Sequence, residues 1–452
     1  MKVALNRYDV AIIGAGPGGF TAAVRSAQLG AKVVLIEKFF VGGTCLNCGC
    51  IPTKFLWQAL KTKQKIKKSY EYGFKATLEP VVFSDIIAKK DKNIASLRKG
   101  MDLILASYSI DIIIGFAEFK NKNTLIIVGS EKSTEIFADK IIIATGTDPS
   151  TIKGFAFDGN KIINSTNALN LKKVPKSMLI IGGGAIGIEM ATIFSGFGCC
   201  ITLAEYENCL LPKEESEISE EIRKNLVRQG VEVLIPCSSS VFNDMALYEK
   251  ILIVTGRIPN NLCMGSLRIE TTNRGFIKTN EFCQTNIDNI YAVGDIAGKN
   301  LLAYTAQNDG VIASENAING NSVVVNNNSA IPQVVFTMPQ ISSVKVSDFS
   351  EYHDLVFGKF SFSANARAFI EGERTGFVKC AVDKLSRRPL AFWIMGVYSD
   401  ELINIASQVL KSGTNHIARE TIFHPSFSES LFNAYEDAFG KCTESIKTVK
   451  EV

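Results

Sequence analysis

The sequence predicts an α/β protein with two nucleotide-binding units, and three observations lead to this prediction. The first is a glycine-rich turn, G-x-G-x-x-G, which follows the apolar run VAII at Gly14, Gly16 and Gly19. The second is a repeat of that turn later in the chain. The third is the length of 452 residues, which exceeds what one hydrophobic core usually supports and suits three domains.

The first turn has the pattern of a dinucleotide-binding fingerprint. A strand leads into it, a helix leaves it, and Glu37 closes the next strand. In this pattern the first glycine allows the tight turn, the second admits the pyrophosphate, and the third packs helix against strand. The helix N-terminus favours phosphate charge, and the carboxylate accepts a hydrogen bond from a ribose hydroxyl group. One dinucleotide is therefore predicted here.

The second turn repeats every part of the first. A strand MLII precedes it, and Glu205 follows its third glycine by eighteen residues, as Glu37 does in the first copy. Each copy is followed by an apolar strand that ends in Thr-Gly, KIIIATG and KILIVTG. The added glycines are Gly182, Gly184 and Gly187 in the turn, and Gly146 and Gly256 after the strands. Two dinucleotides are therefore predicted.

Residues 42–54, GGTCLNCGCIPTK, hold a possible redox pair. If Cys45 and Cys50 are joined, the backbone between them cannot be regular helix, because a disulfide needs Cα atoms within roughly 4.4–6.8 Å. Gly49 supplies the freedom for a break, and Pro52 suits the first turn of a following helix. Cys50 would then lie at a positive helix end, which stabilises a thiolate. Spacing alone leaves a reactive dithiol, a structural disulfide and two buried thiols all open.

Composition narrows the function classes. A hydrophobic content of 46% and a net charge of +4 describe an ordinary globular chain. No stretch approaches the roughly 20 apolar residues that span a bilayer. The lysine-rich segment KTKQKIKKS at 61–69 indicates a solvated helix face. We expect neither nucleic acid nor a membrane as a partner.

Cysteine usage indicates a reducing compartment. The chain has eleven cysteines, an odd number, and those outside the pair show no metal-ligand spacing. The first strand begins within ten residues of Met1, which leaves no room for a signal or transit peptide. We therefore expect a cytoplasmic protein without a bound metal. The eight cysteines outside residues 42–54 are Cys199, Cys200, Cys209, Cys237, Cys263, Cys283, Cys380 and Cys442.

Four further segments establish a resemblance that covers almost the whole chain. They are NIYAVGDIAG, VVFTMPQ, FSFSANARAF and HPSFSE, together with GGTCLNCGCIPTK. With these segments the chain resembles the class I pyridine nucleotide-disulfide oxidoreductases, the flavoprotein disulfide reductases. Within that class it is most similar to the dihydrolipoamide dehydrogenases. The resemblance implies FAD and NAD as cofactors, with Asp295 of NIYAVGDIAG at the ribitol of FAD.

The resemblance also implies the domain organisation. Two Rossmann-like dinucleotide-binding domains, one for FAD and one for NAD, would be followed by a C-terminal α+β dimerisation domain. The expected boundaries are 1–148 for the FAD domain with the dithiol, 149–272 for a shortened NAD domain, 273–331 for the second part of the FAD-binding and central region, and 332–452 for the dimerisation domain.

Roles for the redox segment follow from the same resemblance. Cys50 would be the thiolate that contacts the flavin, and Cys45 the outer sulfur that exchanges with substrate. Lys54 and Glu189 would form a salt-bridged pair beside the flavin ring, where a lysine stabilises negative charge on the reduced flavin. Thr44 and Ala303 complete the expected cofactor contacts.

His424 is the candidate catalytic base. It precedes Pro425, and Glu429 lies five residues on, so a turn can return the carboxylate to the imidazole. A carboxylate on one ring nitrogen fixes the tautomer and leaves the other as a base. In the class that the chain resembles, this dyad comes from the other subunit, which implies a homodimer. His353 and His416 are expected to be structural or exposed.

The expected reaction oxidises a dihydrolipoyl group. His424 would deprotonate a substrate thiol, the thiolate would attack Cys45, and the second substrate thiol would release the cyclic disulfide. Cys50 would pass two electrons to FAD and then to NAD⁺. Glu205 favours NAD over NADP because it would repel a 2′-phosphate. The implied partners are lipoyl domains of a 2-oxo acid dehydrogenase or glycine-cleavage complex.

The chain departs from the family pattern in several places. The largest departure is the connection that precedes the Thr-Gly strand of each copy. It has 24 residues in the first copy, Phe116–Asp139, which include strand-like segments. It has only 14 in the second copy, Pro236–Glu249, too few for the same β-meander.

Tyr304 stands where dihydrolipoamide dehydrogenases usually have a histidine, and mercuric reductases resemble this chain better at that position. Mercuric reductases also carry a C-terminal cysteine pair, however, whereas Cys442 is alone here. Met338 and Gln340 replace the usual His and Glu. Cys48 replaces an apolar residue; we expect a spectator packed away from the pair, the alternative being a competitor in disulfide exchange.

Three functions therefore remain open. The first is a dihydrolipoamide dehydrogenase. The second is a related NAD(P)H-dependent disulfide or mercuric-type reductase. The third is an FAD-binding subunit whose shortened second domain no longer turns over nicotinamide.

Overall fold

The computed structural model describes residues 6–129, 133–238, 241, 245–261, 264, 267–325, 330–347, 349, 352 and 354–445. Cys263 and His353 lie outside the described residues. The chain divides into two compact units. Unit one comprises Met1–Ala59, Pro80–Val174 and Lys250–Asn326, and unit two comprises Leu60–Glu79, Pro175–Glu249 and Asn327–Val452.

Strands and helices alternate through most of the chain. The first group is β1 (Asn6–Ile13), α1 (Pro17–Gln28), β2 (Val33–Glu37), α2 (Gly43–Cys48), α3 (Cys50–Lys67), α4 (Phe83–Ser107), β3 (Asp111–Ile114), β4 (Phe116–Asn121), β5 (Thr124–Val128), β6 (Ser133–Ile143) and β7 (Thr147–Pro149). The second is β8 (Ile162–Ile163), α5 (Ser165–Ala168), β9 (Ser177–Ile181), α6 (Ala185–Gly196), β10 (Cys200–Ala204), α7 (Ser216–Arg228), β11 (Glu232–Leu234), β12 (Lys250–Ile253), β13 (Arg257–Pro259) and β14 (Ile290–Ala292). The third is α8 (Ala303–Asn319), β15 (Gln333–Val335), β16 (Ile341–Lys345), β17 (Leu355–Ser361), α9 (Ala366–Ile370), β18 (Phe377–Asp383), β19 (Pro389–Met395), α10 (Ser399–Ser412) and α11 (Glu429–Asp437).

Unit one is built on a seven-stranded sheet. Its order is β3-β2-β1-β6-β5-β4, and β14 pairs with β6 as well. The strands β3, β2, β1, β6 and β14 run parallel, whereas β4, β5 and β6 form an antiparallel meander. Helices α1 and α8 pack on each other. The apolar runs VVLI and VAII are buried because a parallel sheet is covered on both faces.

Unit two holds two sheets. In the first, β10 lies between β9 and β11, and all three run parallel. In the second, the antiparallel order is β15-β16-β19-β18-β17. Helix α10 contacts β16 and β19, and α11 contacts β17 and β18. Their apolar side chains form one core that includes Phe360, Phe392 and Ile403.

The connection between β11 and β12 differs from its counterpart in unit one. The described residues there form a 3₁₀ turn at Met245–Leu247 and no strand. In the first copy the corresponding chain forms β4 and β5 and leads into β6. The described part of the second copy therefore agrees with the prediction that 14 residues are too few for a β-meander.

The lysine-rich segment at 61–69 ends helix α3. Lys65, Lys67 and Lys68 are exposed, as predicted for a solvated face, while the ammonium group of Lys63 donates to the carbonyl of Gly196 at 2.9 Å. Among the described residues, no helix has the length and apolar character needed to cross a membrane.

Candidate functional site

The first glycine turn joins β1 to α1 by close backbone contact. Gly14 has φ +102°, a left-handed conformation that favours glycine, and its N–H donates to the carbonyl of Ile36 at 2.7 Å. A Cβ added at Gly14 would overlap the carbonyl oxygen of Ala144, and one at Gly19 would overlap that of Gly14. The first and third glycines are therefore required by the protein's own packing.

The second glycine of each turn has open space instead. A Cβ added at Gly16 meets only the Cα of Gly43, at 3.9 Å, and one at Gly184 meets nothing within 4 Å. Gly16 and Gly184 are also the N-cap residues of α1 and α6, and neither helix has a side-chain cap. Free N–H groups beside open backbone suit a pyrophosphate. The turns thus fit the two dinucleotides predicted from the sequence.

Each turn is braced by its carboxylate. Oε2 of Glu37 accepts from the backbone N–H of Ala15 at 2.8 Å, and Oε1 accepts from that of Phe39 at 2.9 Å. In the second copy, Glu205 accepts from the N–H groups of Gly183 at 2.5 Å and Glu207 at 2.8 Å. The two acids therefore hold the same position relative to their turns, at the ends of β2 and β10.

The other glycines of the second copy follow the same scheme. Gly182 has φ +119° and donates to the carbonyl of Ala204 at 2.9 Å, as Gly14 does to Ile36. Gly187 is buried within α6. Gly146 and Gly256, which follow the Thr-Gly strands, have φ +68° and +153°. The internal repeat predicted from the sequence is therefore present in the backbone.

The backbone between the paired cysteines is broken, as predicted. Helix α2 ends at Cys48, Gly49 has φ −139° and ψ −108°, and α3 begins at Cys50. Pro52 lies in the first turn of α3. The thiols of Cys45 and Cys50 are hydrogen bonded to each other. That hydrogen bond, followed by burial, raises the pKa of Cys45, while the charge of Lys54 acts in the opposite direction.

Asp295 and Tyr304 belong to the same neighbourhood of unit one. The hydroxyl of Thr147 donates to Oδ2 of Asp295 at 3.0 Å, and burial raises the pKa of this carboxyl group. The charge of Asp295 in turn contributes to the raised pKa of Cys45. Burial, assisted by the charge of Cys50, raises the pKa of Tyr304 to about 12. Charge at the cysteine pair is therefore coupled to both residues.

Arg257, which contacts Thr147 next to Asp295, was not identified from the sequence. Nε of Arg257 donates to the hydroxyl of Thr147 at 2.6 Å. The charge of Arg257 partly opposes the rise that burial causes in the pKa of Asp295. Arg257 and Thr147 each follow the Thr-Gly of one copy, in VTGR and ATGT, and lie on the paired strands β13 and β7. Comparing the residues after Thr-Gly in the two copies could have singled them out.

A second missed contact supports helix α2. Nη2 and Nε of Arg98 donate to Oδ1 of Asn47 at 2.7 and 3.2 Å. The amide nitrogen of Asn47 donates to the carbonyls of Val41 at 3.0 Å and Gly43 at 2.9 Å. The guanidinium group of Arg98 also lies over the ring of Phe40, 3.9 Å from its centroid. The similar contact of Arg7 with Phe137 is longer, at 4.6 Å. No motif in the sequence marks Arg98.

The predicted His–Glu dyad forms in unit two. Nδ1 of His424 lies 2.8 Å from Oε1 of Glu429, and the N–H of Ser426 donates to Oε2 of Glu429 at 2.8 Å. The His424 side chain is 71% exposed, whereas that of Glu429 is 16% exposed. A neutral ring that donates from Nδ1 keeps Nε2 as an acceptor, which is what a general base needs.

Four other predicted residues lie within their own units. Glu189 is buried in α6 and accepts from the backbone N–H of Phe336 at 3.0 Å, within unit two. Lys54 lies in α3 within unit one, so its pairing with Glu189 stays a prediction. Thr44 is exposed in α2, and Ala303 is the first residue of α8.

Comparisons with known proteins agree with this geometry. A family model described as pyridine nucleotide-disulphide oxidoreductase matches residues 8–310, and the dimerisation domain of the same family matches residues 331–435. Dihydrolipoyl dehydrogenase from Geobacillus stearothermophilus is 34% identical over 455 residues, which covers 96% of each chain. Dihydrolipoyl dehydrogenase from Chlamydia trachomatis is 33% identical and covers 93% of this chain and 95% of the relative.

A solved structure is similar over the same length. The copper(II) complex of RclA, an HOCl-induced flavoprotein disulfide reductase from Escherichia coli, superposes with a TM-score of 0.83 at 29% identity, covering 96% of this chain and 99% of RclA. The predicted fold class, with two dinucleotide-binding domains and a dimerisation domain, is confirmed. So are FAD and NAD, which this family uses. The chain belongs to the family of pyridine nucleotide-disulphide oxidoreductases.

Proposed function

We propose that this protein is a dihydrolipoyl dehydrogenase, which oxidises protein-bound dihydrolipoyl groups and reduces NAD⁺. The observation that carries the proposal is the hydrogen-bonded Cys45–Cys50 pair across the helix break at Gly49. Relatives that match over 96% of this chain support the substrate, because they are named dihydrolipoyl dehydrogenase.

The chain's own residues supply the thiol chemistry. His424, oriented by Glu429 at 2.8 Å, takes a proton from one substrate thiol. The resulting thiolate attacks Cys45 of the Cys45–Cys50 disulfide, and Cys50 leaves as a thiolate. The second substrate thiol then attacks the substrate sulfur bound to Cys45, which frees Cys45 and closes the cyclic disulfide. The charge of Lys54 favours a thiolate at this pair.

The two glycine turns hold the nucleotides in this proposal. The first turn, with Glu37 and Asp295, would hold FAD, and the second, with Glu205, would hold NAD. FAD, when bound, supplies the step that converts two electrons from a thiolate pair into a hydride. Glu205 would accept from a free ribose 2′-hydroxyl and would repel a 2′-phosphate, which favours NAD over NADP.

Partners and location belong to the same proposal. A dimerisation domain matches residues 331–435, and a homodimer would let His424 of one subunit serve the cysteines of the other. Lipoyl domains of a 2-oxo acid dehydrogenase or glycine-cleavage complex would then be the substrates. A cytoplasmic location is supported by the eleven cysteines, which suit a reducing compartment.

The test is direct. Purified protein should carry flavin and should form NADH from dihydrolipoamide and NAD⁺. Cys45→Ser should abolish this activity, because no sulfur then exchanges with substrate, while Cys200→Ser, at an exposed thiol on β10, should keep it. Full activity of Cys45→Ser would contradict the proposal. Flavin content of both variants serves as the folding control.

A second function is favoured by two observations. RclA, a flavoprotein disulfide reductase, is 29% identical over nearly the whole chain, and Tyr304 rather than histidine lies near Cys50. These favour a reductase that runs from NAD(P)H toward another disulfide or a metal ion. Rates with dihydrolipoamide, glutathione disulfide and Hg²⁺ would separate the two functions. Bound flavin that NADH fails to bleach under anaerobic conditions would instead indicate an FAD-binding subunit without nicotinamide turnover.

A further inference from the structure

The redox segment holds a third thiol, Cys48, at the last residue of α2. Cys45 lies in the same helix, three residues earlier. Both side chains are partly exposed. Cys48 therefore shares a helix with the thiol that would exchange with substrate, while Cys50 lies beyond the break at Gly49.

The helical register places Cys45 and Cys48 close to disulfide geometry. Residues three apart in an α-helix have Cα atoms about 5 Å apart and face the same side. A disulfide needs Cα atoms within roughly 4.4–6.8 Å, so the backbone already meets this condition. The Cβ atoms must approach by about 1.5 Å, since helical neighbours are about 5–6 Å apart and bridged pairs about 3.5–4.5 Å. Gly49, directly after Cys48, lets the end of the helix adjust.

The surrounding contacts hold α2 in this register. Asn47 bonds to the carbonyls of Val41 and Gly43, and Arg98 from α4 donates twice to its amide oxygen. The ring of Phe40 covers the guanidinium group at 3.9 Å. An anchored helix keeps Cys48 beside Cys45 in each cycle, because ordering the pair then costs little further entropy.

We propose that Cys48 is a second resolving thiol for Cys45, in place of the spectator role that the sequence favoured. When Cys45 forms a mixed disulfide with a small thiol, the Cys48 thiolate attacks the Cys45 sulfur. The Cys45–Cys48 disulfide forms, and the small thiol leaves as a thiolate. The Cys50 thiolate then attacks Cys45, which restores the Cys45–Cys50 disulfide and releases Cys48. Both steps exchange one disulfide for another, so no further oxidant is required.

This exchange would free a Cys45 that is blocked by a small thiol, so that it could react with substrate again. Dihydrolipoyl substrates carry their own second thiol, but glutathione does not, so a glutathione adduct needs a thiol from the protein. Cys50 could also serve, but it lies beyond the break at Gly49, whereas Cys48 shares the helix of Cys45. The inference rests on the proposed function only for the role of Cys45 as the exchanging sulfur.

The decisive test uses Cys50→Ser, in which only Cys48 is left to resolve Cys45. Reduced protein is treated with glutathione disulfide, and released glutathione and protein mass are measured. We expect Cys50→Ser to release one more glutathione per chain, and to retain one adduct fewer, than the matched Cys48→Ser/Cys50→Ser double variant. Exposed thiols such as Cys200 contribute equally to both variants, so the difference reports Cys48. Retention of the adduct by Cys50→Ser, at the same level as in the double variant, would overturn the proposal.

Wild-type protein provides a second measurement that does not depend on a variant folding. Trypsin releases Phe39–Lys54, a peptide that contains all three cysteines of the segment. After limited treatment with glutathione disulfide, an alkylating label on Cys50 in part of the chains would show the Cys45–Cys48 disulfide. Because the completed sequence also frees Cys48, the decisive samples are those quenched earliest. A label found only on Cys48 at the earliest times would mean that Cys50 resolves Cys45 directly, which would overturn the proposal.

Failure of the proposed function would be visible separately. Dihydrolipoamide turnover is measured on untreated wild-type protein with NAD⁺. Absent turnover together with the additional glutathione release from Cys50→Ser would leave this inference standing and reject the proposed substrate. Normal turnover together with a retained adduct would do the reverse.

Discussion

The two glycine turns have nearly the same geometry but different surroundings. Gly14 and Gly182 both have a positive φ and donate to the end of the neighbouring strand. Glu37 and Glu205 each brace the turn through two backbone N–H groups. Both second glycines face open space. The turn itself is therefore a local solution that the chain uses twice.

The surroundings of the two turns diverge after the acid. The first leads into the cysteine helix α2, and its sheet is extended by the antiparallel strands β4 and β5. After the second acid the chain forms α7 and β11, and the described residues between β11 and β12 form a 3₁₀ turn and no strand. Phosphate binding depends on backbone that a short motif specifies, whereas the walls of each site depend on what is inserted around it.

The largest expected effect comes from the third glycine of each turn. Gly19→Ala would drive a Cβ into the carbonyl of Gly14, and we expect protein without flavin. Gly187→Ala, buried at the matching place in α6, should keep flavin but lose reduction by NADH. Flavin absorbance and anaerobic NADH titration measure the two outcomes.

The control for this pair is Gly100→Ala, in the exposed part of α4 with nothing within 4 Å of the added Cβ. It should leave both readouts unchanged and stabilise the fold by about 1 kcal/mol. Loss of flavin from Gly187→Ala would break the comparison, because the second turn would then be needed for the first cofactor.

A smaller effect on nucleotide binding is expected from substituting Glu205 or Glu37, the acids that accept from the backbone of each turn. Removing Glu205 leaves the N–H groups of Gly183 and Glu207 without their acceptor. It would also remove the ribose contact that we propose for this carboxylate. Hydrogen bonds to charged groups contribute about 1.5–3 kcal/mol, so KM for NAD⁺ should rise about 10- to 100-fold in Glu205→Ala. Flavin content should not change.

Glu37→Ala is the matched variant in the first turn. It should weaken flavin retention by a comparable factor, because Ala15 and Phe39 lose the same kind of acceptor. Equilibrium dialysis measures the flavin. An unchanged KM for NAD⁺ in Glu205→Ala would mean that the second turn does not hold the nicotinamide nucleotide.

The smallest effect is expected from substituting Arg257 and Thr147, the residues that follow the Thr-Gly of each copy and differ between the copies. Arg257→Met removes the hydrogen bonds to Thr147 and should lower the free energy of unfolding by about 1–3 kcal/mol. Thr147→Ala should cost a similar amount, and the double variant should cost less than the sum, because both remove one interaction. Urea unfolding measures all three, and strict additivity would contradict the coupling.

Much of the site could be predicted from short segments. The turns at Gly14 and Gly182 depend on neighbouring backbone, and so does the helix break between Cys45 and Cys50. The His424–Glu429 contact joins residues five apart across a proline turn. The two nucleotide-binding units followed from the same local patterns, whereas the dimerisation domain was implied by the resemblance to a known family.

The contacts that complete the site join distant parts of the chain. Arg98 and Asn47 are 51 residues apart, and Thr147 and Asp295 are 148 apart. Short-range patterns cannot specify which remote side chains meet, since that depends on how the sheet orders its strands. The sequence by itself determined the two turns, the cysteine helix break and the dyad, because each is a local conformational requirement. Only the tertiary structure decided that Arg257 and Arg98 meet these segments and that Asp295 and Tyr304 are coupled to the cysteine pair, because folding of the whole unit brings those residues together.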